Sequence, residues 1–261
     1  MSVLTDTQRE LFAEQGFLHL PGFLDEERAA ELLRWTEELQ EWPETPGKWM
    51  KYFETVKGER QLCRVENFLP YHNGFRHLLL ESDLNLILAE LMGETATLYK
   101  EKLNFKLPGG SGFGAHQDAP AFTTFGQTYH ITMMLSIDAT TEENGCLEMV
   151  PGRYGEDTLE QSAGGTLAEA LIDSYTWEPL ETKPGDVVLF HSYIPHRSAE
   201  NRTLSPRRAM YVTYNRASEG DRRDDYYAHK REHFPPECER IEGRDYSAAE
   251  ALYNLGNPIN K

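Results

Sequence analysis

The chain has 261 residues, with 43 acidic against 26 basic side chains and a formal net charge of −17. At 39% hydrophobic and 11% aromatic residues it can bury a real core, which excludes disorder as its main character. The acidity argues against nucleic acid or an anionic membrane as partner, since each needs a basic face, and no apolar run approaches the ~20 residues that span a bilayer.

The opening residues show neither a basic n-region nor an apolar h-region, so no secretory signal is visible and a cytoplasmic location is expected. Cys63, Cys146 and Cys238 are odd in number and widely spaced, as reduced thiols would be.

TDTQRELFAEQ (5–15) reads as a capped helix, and GFLHLPGF (16–23) alternates like a short strand. From Asp25 onward, Ala29, Leu32, Leu33 and Trp35 to Leu39 recur at helical spacing and predict an amphipathic helix. Residues 43–58 are punctuated by Pro and Gly and read as loop; residues 74–92 read as helix again. From Thr95 the texture changes to short β-rich segments. ATLYKEKLNFKL, YHITMMLSID, CLEMV, DVVLF and AMYVTYN are divided by the turns PGG, TEENG, PGRYG and KPGD. The expectation is one domain over 1–261: a mainly helical part (1–94), a β core (95–215) and a polar tail or lid (216–261).

Two of the nine histidines stand out. His116 lies in GFGAHQDAP two residues before Asp118, and on an extended segment such residues share a face. His196 follows a turn, an apolar strand and a second turn, and Arg207 comes eleven residues later at the next strand. Two histidines and one carboxylate form the facial triad that holds non-haem Fe(II) and leaves three positions open. Those positions suit a bidentate 2-oxo acid and O2, and an arginine fork suits the far carboxylate of that acid. His191 competes as the distal ligand, but its parity with Val187 and Leu189 points it toward a core. GGSGFG (109–114) precedes no helix and is no phosphate-binding loop; it also misses the GxSxG pattern of hydrolases. A zinc hydrolase lacks its HExxH or cysteine pair.

HxD, turn-strand-turn, His and Arg at +11 together resemble the phytanoyl-CoA dioxygenase family of Fe(II)/2-oxoglutarate-dependent oxygenases. The likeness extends over GFLHLPGFLD, LNFKLPGG and ENGCLEMVPGRY. It implies a mainly β fold with flanking helices, a double-stranded β-helix or jelly roll. It also implies Fe(II), 2-oxoglutarate and O2 as cofactor and co-substrates, with hydroxylation rather than halogenation because Asp118 is present. The iron ligands would be His116, Asp118 and His196. Arg207 would meet the co-substrate carboxylate with Ser198 as hydroxyl partner, and Asn104, Arg64 and Thr132 would line that pocket.

Lys102, Asn104 and Lys106 share one face if KEKLNFK is extended. Lys102, Lys106 and Arg197, with Arg64 and Arg208 nearby, supply more positive charge than one oxoglutarate needs, which favours a small anionic or zwitterionic substrate. The stretch YNRASEGDRRDDYYAHKREHFPP is similar to the bacterial branch that hydroxylates aminoalkylphosphonates next to phosphorus. Acyl, amino-acid or secondary-metabolite substrates are the alternatives within the class, and a non-catalytic jelly-roll binding protein is the alternative outside it. Oligomeric state leaves no trace in the sequence.

Overall fold

A computed structural model describes residues 3–155, 157–162, 165–254, 256 and 259. Helix α1 (Asp6–Gln15) starts at a reciprocal cap in which the Thr5 hydroxyl accepts from the Gln8 amide and the Gln8 side chain accepts from the Thr5 amide. Strand β1 (Phe17–Leu20) follows, then α2 (Glu26–Glu41), whose N-terminus is capped by Asp25 and whose buried stripe is Ala29, Leu32, Thr36 and Leu39.

Within residues 43–58, expected to be loop, lies strand β2 (Met50–Val56), which pairs as a hairpin with β3 (Glu59–Glu66) just beyond. The hairpin turns on Lys57 and Gly58, both at positive φ as a tight hairpin turn requires. The strands escaped notice because they bury Lys51, Glu54, Arg64 and Glu66, which destroys the apolar alternation that marks a strand. The predicted 74–92 helix is two, α3 (Asn73–Glu81) and α4 (Leu84–Met92), broken at an extended Ser82.

The β core runs through β4 (Ala96–Lys106), β5 (Phe113–His116), a turn of helix α5 (Pro120–Thr123), β6 (His130–Ser136), β7 (Leu147–Met149), α6 (Glu169–Ser174), β8 (Glu178–Leu180), β9 (Val187–His191), β10 (His196–Ser198) and β11 (Arg207–Arg216). Helices α7 (Arg223–His233) and α8 (Glu250–Tyr253) follow. All the strand pairings are antiparallel. The large sheet has the order β1-β9-β6-β11-β4-β3-β2, and the small sheet β5-β10-β7-β8. Together they form the double-stranded β-helix.

Alternation along the strands sorts residues between two cores. The outer face of the large sheet, with Leu103, Ile131, Met133, Leu135, Val187, Leu189, Met210 and Val212, packs on the N-terminal helices. The inner face, with Met134, Val188, Phe190, Ala209 and Tyr211, meets Leu147 and Met149 of the small sheet. A third cluster, including Tyr52, Tyr99, Phe122, Tyr226, Phe234 and Tyr253, closes one end of the space between the sheets, with α7 and α8 as its cover. Gly112, between β4 and β5, allows a close approach to β10: a Cβ would stand 2.5 Å from the Ser198 carbonyl oxygen. Among the described residues no helix is long and apolar enough to cross a membrane.

Candidate active site

His116 and His196 are direct cross-strand partners of β5 and β10. Asp118 lies past the end of β5, in a turn held by the Ala119 amide donating to the Ser192 carbonyl and the Ala121 amide to the Asp118 carbonyl, so a turn rather than strand parity aims it. One ligand-capable atom from each of the three lies within 4.8 Å of the others, and all three residues are buried. His116 Nε2 stands 3.7 Å from Asp118 Oδ1, and His196 Nε2 stands 4.0 Å from the same oxygen.

Both imidazoles are oriented by backbone carbonyls, to which Nδ1 can only donate: His116 Nδ1–H to Gly114 at 2.7 Å and His196 Nδ1–H to Ile194 at 3.0 Å. Each ring therefore turns a lone pair on Nε2 toward Asp118, the tautomer a metal ligand needs. Burial, with His196 alongside, pushes His116 down to about 3. Burial also lowers His196 against the pull of Asp118. For Asp118 burial acts upward, but His196, Lys102 and Lys100 outweigh it and hold the carboxyl well below its usual range. The trio is two neutral nitrogens and one carboxylate, the donor set of a divalent iron.

Thr132 on β6 bonds through its hydroxyl to Thr213 at 3.1 Å and donates to Asp118 Oδ2 at 3.4 Å. It thus steadies the carboxylate from behind. Thr132→Val is expected to weaken Fe(II) binding about tenfold, the low end for an orienting partner since the bond is long. Titration with Fe(II) under argon checks this; an unaltered affinity would reduce Thr132 to packing.

At the other end of the inner face, Arg207 is completely buried, and Nε, Nη1 and Nη2 all lack a hydrogen-bond partner among the described residues. A guanidinium left so is costly unless an anion meets it. Its cross-strand partner on β4 is Lys106, whose Nζ donates to Ser198 Oγ at 2.8 Å and to the Gly145 carbonyl at 3.2 Å. Burial and Arg207 push the Lys106 ammonium well below lysine's ordinary value. Gly145 has φ +75, and a Cβ there would lie 2.8 Å from Lys106 Nζ and 2.1 Å from the Ala199 carbonyl oxygen. Arg207, Lys106 and Ser198 thus form a donor cradle with an unsatisfied centre, which fits the far carboxylate of a dicarboxylic acid.

The opposite end of β4 lines a small cavity beside the trio. Its walls include Arg64, Lys100, Lys102 and Lys230, with Tyr226 and Tyr253. Arg64 Nε donates to Asn104 Oδ1 at 3.0 Å, so Asn104 acts on the arginine. Lys100 Nζ lies 4.5 Å from the Phe122 ring centre, and Lys102 Nζ lies 5.3 Å from that of Tyr211. Burial, with Arg64 and Lys100 close by, pushes Lys102 down to about 7.

Two expectations fail on parity. Arg197 lies between His196 and Ser198 on β10, so its side chain takes the opposite face, bonds Glu148 at 2.8 Å and stacks on Trp177. Arg208 likewise alternates with Arg207 and is held by Asp138 through two hydrogen bonds, at 2.7 and 2.8 Å. Neither faces the cavity. His191 takes the face of Val187 and Leu189 and packs against Tyr129 and Tyr154, away from the trio. Sequence reasoning missed Lys230, Glu66, Tyr226 and Tyr253 as neighbours of the site. The only local signal was the four-residue spacing of Tyr226 and Lys230, one face of a helix.

The sequence profile of the family described as phytanoyl-CoA dioxygenase (PhyH) matches residues 12–209. The chain belongs to the phytanoyl-CoA dioxygenase family. It is an Fe(II)/2-oxoglutarate-dependent dioxygenase. It is 59% identical to a 2-aminoethylphosphonate dioxygenase of uncultured bacterium HF130_AEPn_1, over 99% of this chain and 100% of that one. To the methylphosphonate hydroxylase of Gimesia maris it is 42% identical over 89% of both. Among solved structures, EctD from S. alaskensis with 2-oxoglutarate and 5-hydroxyectoine superposes with TM-score 0.74 at 20% identity, covering 84% of this dioxygenase and 78% of EctD. The epimerase SnoN from nogalamycin biosynthesis gives 0.67 at 19%, covering 81% and 83%. These two show that the dioxygenase shares their fold.

Proposed function

We propose that this dioxygenase hydroxylates a small phosphonate, with 2-aminoethylphosphonate the best single candidate, at the carbon next to phosphorus. The observation that carries the reading is the cationic cavity beside the His116–Asp118–His196 trio. Lys100 and Lys102 face a space that a doubly charged head group would neutralise, with Arg64 and Lys230, both bridged by Glu66, in the same walls; an acyl chain would bury the two ammonium groups against apolar carbon. The 59% identical relative that bears the name 2-aminoethylphosphonate dioxygenase supports the same choice.

His116, Asp118 and His196 would hold Fe(II). Arg207, Lys106 and Ser198 would receive the far carboxylate of 2-oxoglutarate and so fix the opposite end of the acid toward the metal. Iron and 2-oxoglutarate, when bound, supply the activation of O2, with succinate and CO2 as the products of the acid. The protein's own part is placement. Lys100 and Lys102 hold the phosphonate oxygens, so the adjacent carbon is the one presented to the trio. Arg64, fixed by Asn104, adds a planar donor, and the tyrosine-rich cover keeps water out.

The experiment is a substrate panel scored by succinate release in air and under argon. Oxygen-dependent release with 2-aminoethylphosphonate, and formation of the 1-hydroxy product, are expected. Good turnover of an acyl or amino-acid substrate with none of any phosphonate would overturn the reading. Asp118→Ala is expected to bind no Fe(II) and release no succinate; retained activity would remove the trio from the reaction.

A further inference from the structure

Lys230 is buried to 1% exposure on α7, and its Nζ lies 2.7 Å from both oxygens of Glu66, itself 1% exposed. The same ammonium stands 5.0, 5.9 and 5.2 Å from the ring centres of Tyr52, Tyr226 and Tyr253. A carboxylate with three aromatic faces around a single cation is the chemistry that recognises alkylammonium ions. Here the chain's own side chain is the occupant. The cage abuts the reaction cavity, since Lys230, Tyr226 and Tyr253 all line it, while Glu66 stands behind the lysine and does not. The carboxylate is therefore withheld from the substrate, and among the described residues Asp118 of the trio is the only acidic side chain in the cavity's walls.

We propose that Lys230 determines substrate specificity: its ammonium fills a tyrosine-and-carboxylate cage, so the cavity meets its substrate with cations, and without it the cage accepts an alkylammonium ion. The inference rests on the phosphonate reading only for the second of its two readouts. A substrate nitrogen in the unaltered protein finds no free carboxylate in the cavity wall, so recognition runs through the anionic head and favours a slim tail. Removing the lysine charge leaves Glu66, still held on one side by Arg64 at 3.3 Å, facing the cavity and shifts preference toward bulky, permanently charged ammonium tails.

The first readout needs no substrate. Tetramethylammonium is titrated calorimetrically into the unaltered protein and into Lys230→Met, with Lys230→Arg as the charge-retaining control. Binding is expected in Lys230→Met alone. The second compares methylphosphonate with 2-(trimethylammonio)ethylphosphonate. The ratio of their kcat/KM is expected to move about thirtyfold toward the ammonium compound in Lys230→Met, the scale of one desolvated cation–aromatic contact, and to stay put in Lys230→Arg. Should Lys230→Met not fold, Lys230→Gln, whose amide still donates to Glu66 without a charge, carries both readouts in the same direction. A folded neutral variant that binds tetramethylammonium no better than the unaltered protein overturns the proposal. That outcome is distinct from failure of the phosphonate reading, which would be an unaltered enzyme that turns over no phosphonate.

Discussion

Arg207→Leu is expected to lower affinity for 2-oxoglutarate by roughly 30-fold to several thousand-fold while leaving the ligand-free protein at least as stable as before. The two halves have one cause. With no ligand the guanidinium is fully buried and its three nitrogens are unpaired, so an apolar side chain in its place removes a desolvation cost. With 2-oxoglutarate bound, the same guanidinium would form a desolvated charge pair, and truncating one side of such a pair costs about 2–5 kcal/mol, at 1.4 kcal/mol per tenfold. Titration calorimetry gives the affinity. Thermal melts give the rest: 2-oxoglutarate should raise the melting temperature of the unaltered protein and not that of Arg207→Leu. An affinity within threefold of the original would remove Arg207 from the co-substrate site.

Glu66→Leu is expected to destabilise the fold by about 3–5 kcal/mol, because it leaves the ammonium of Lys230 and the guanidinium of Arg64 buried without their common carboxylate. The pair also sets an acid limit. Burial acts to raise the Glu66 carboxyl, but Lys230 and Arg64 prevail and lower it to about 2, against an ordinary 4.5. A depressed carboxyl stabilises fully above its unfolded value and loses that contribution as pH falls toward the folded one. Stability should therefore fall between about pH 5 and pH 2, and Glu66→Leu should flatten that slope. Urea melts across this range measure both effects; an equal slope in the variant would mean other carboxylates carry the acid sensitivity.

What the sequence disclosed follows from where information is local. His116, Asp118, His196 and Arg207 each sit in a short motif whose turn and strand neighbours are contiguous, so they could be read one by one. The common face of Lys102, Asn104 and Lys106 came from parity alone, and the same rule extends to Lys100. Parity also shows why Arg197 and Arg208 mislead: each adjoins a site residue in the chain and therefore points the other way. The β2–β3 hairpin was illegible because its buried positions are charged, and those charges find partners outside the hairpin: Lys51 at the Gln40 and Trp42 carbonyls, Glu54 at the Ser111 amide, Arg64 at Asn104 and Glu66 at Lys230 of α7. Glu66 and Lys230 are 164 positions apart, and nothing in either neighbourhood announces the other.

β4 holds Lys106 beside Arg207 and Lys100 with Lys102 beside the cavity, so one strand addresses both ends of the site. At about 3.4 Å per residue, the six steps from Lys100 to Lys106 span about 20 Å along a single extended backbone. The strand is thereby a ruler. A one-residue deletion between Lys102 and Lys106 would set the two groups of lysines on opposite faces, and a two-residue deletion would restore their common direction but bring the two ligands' anchors about 7 Å closer. Relatives that accept larger or smaller substrates can therefore vary the side chains on this strand, or the cover laid over it, but must keep its length.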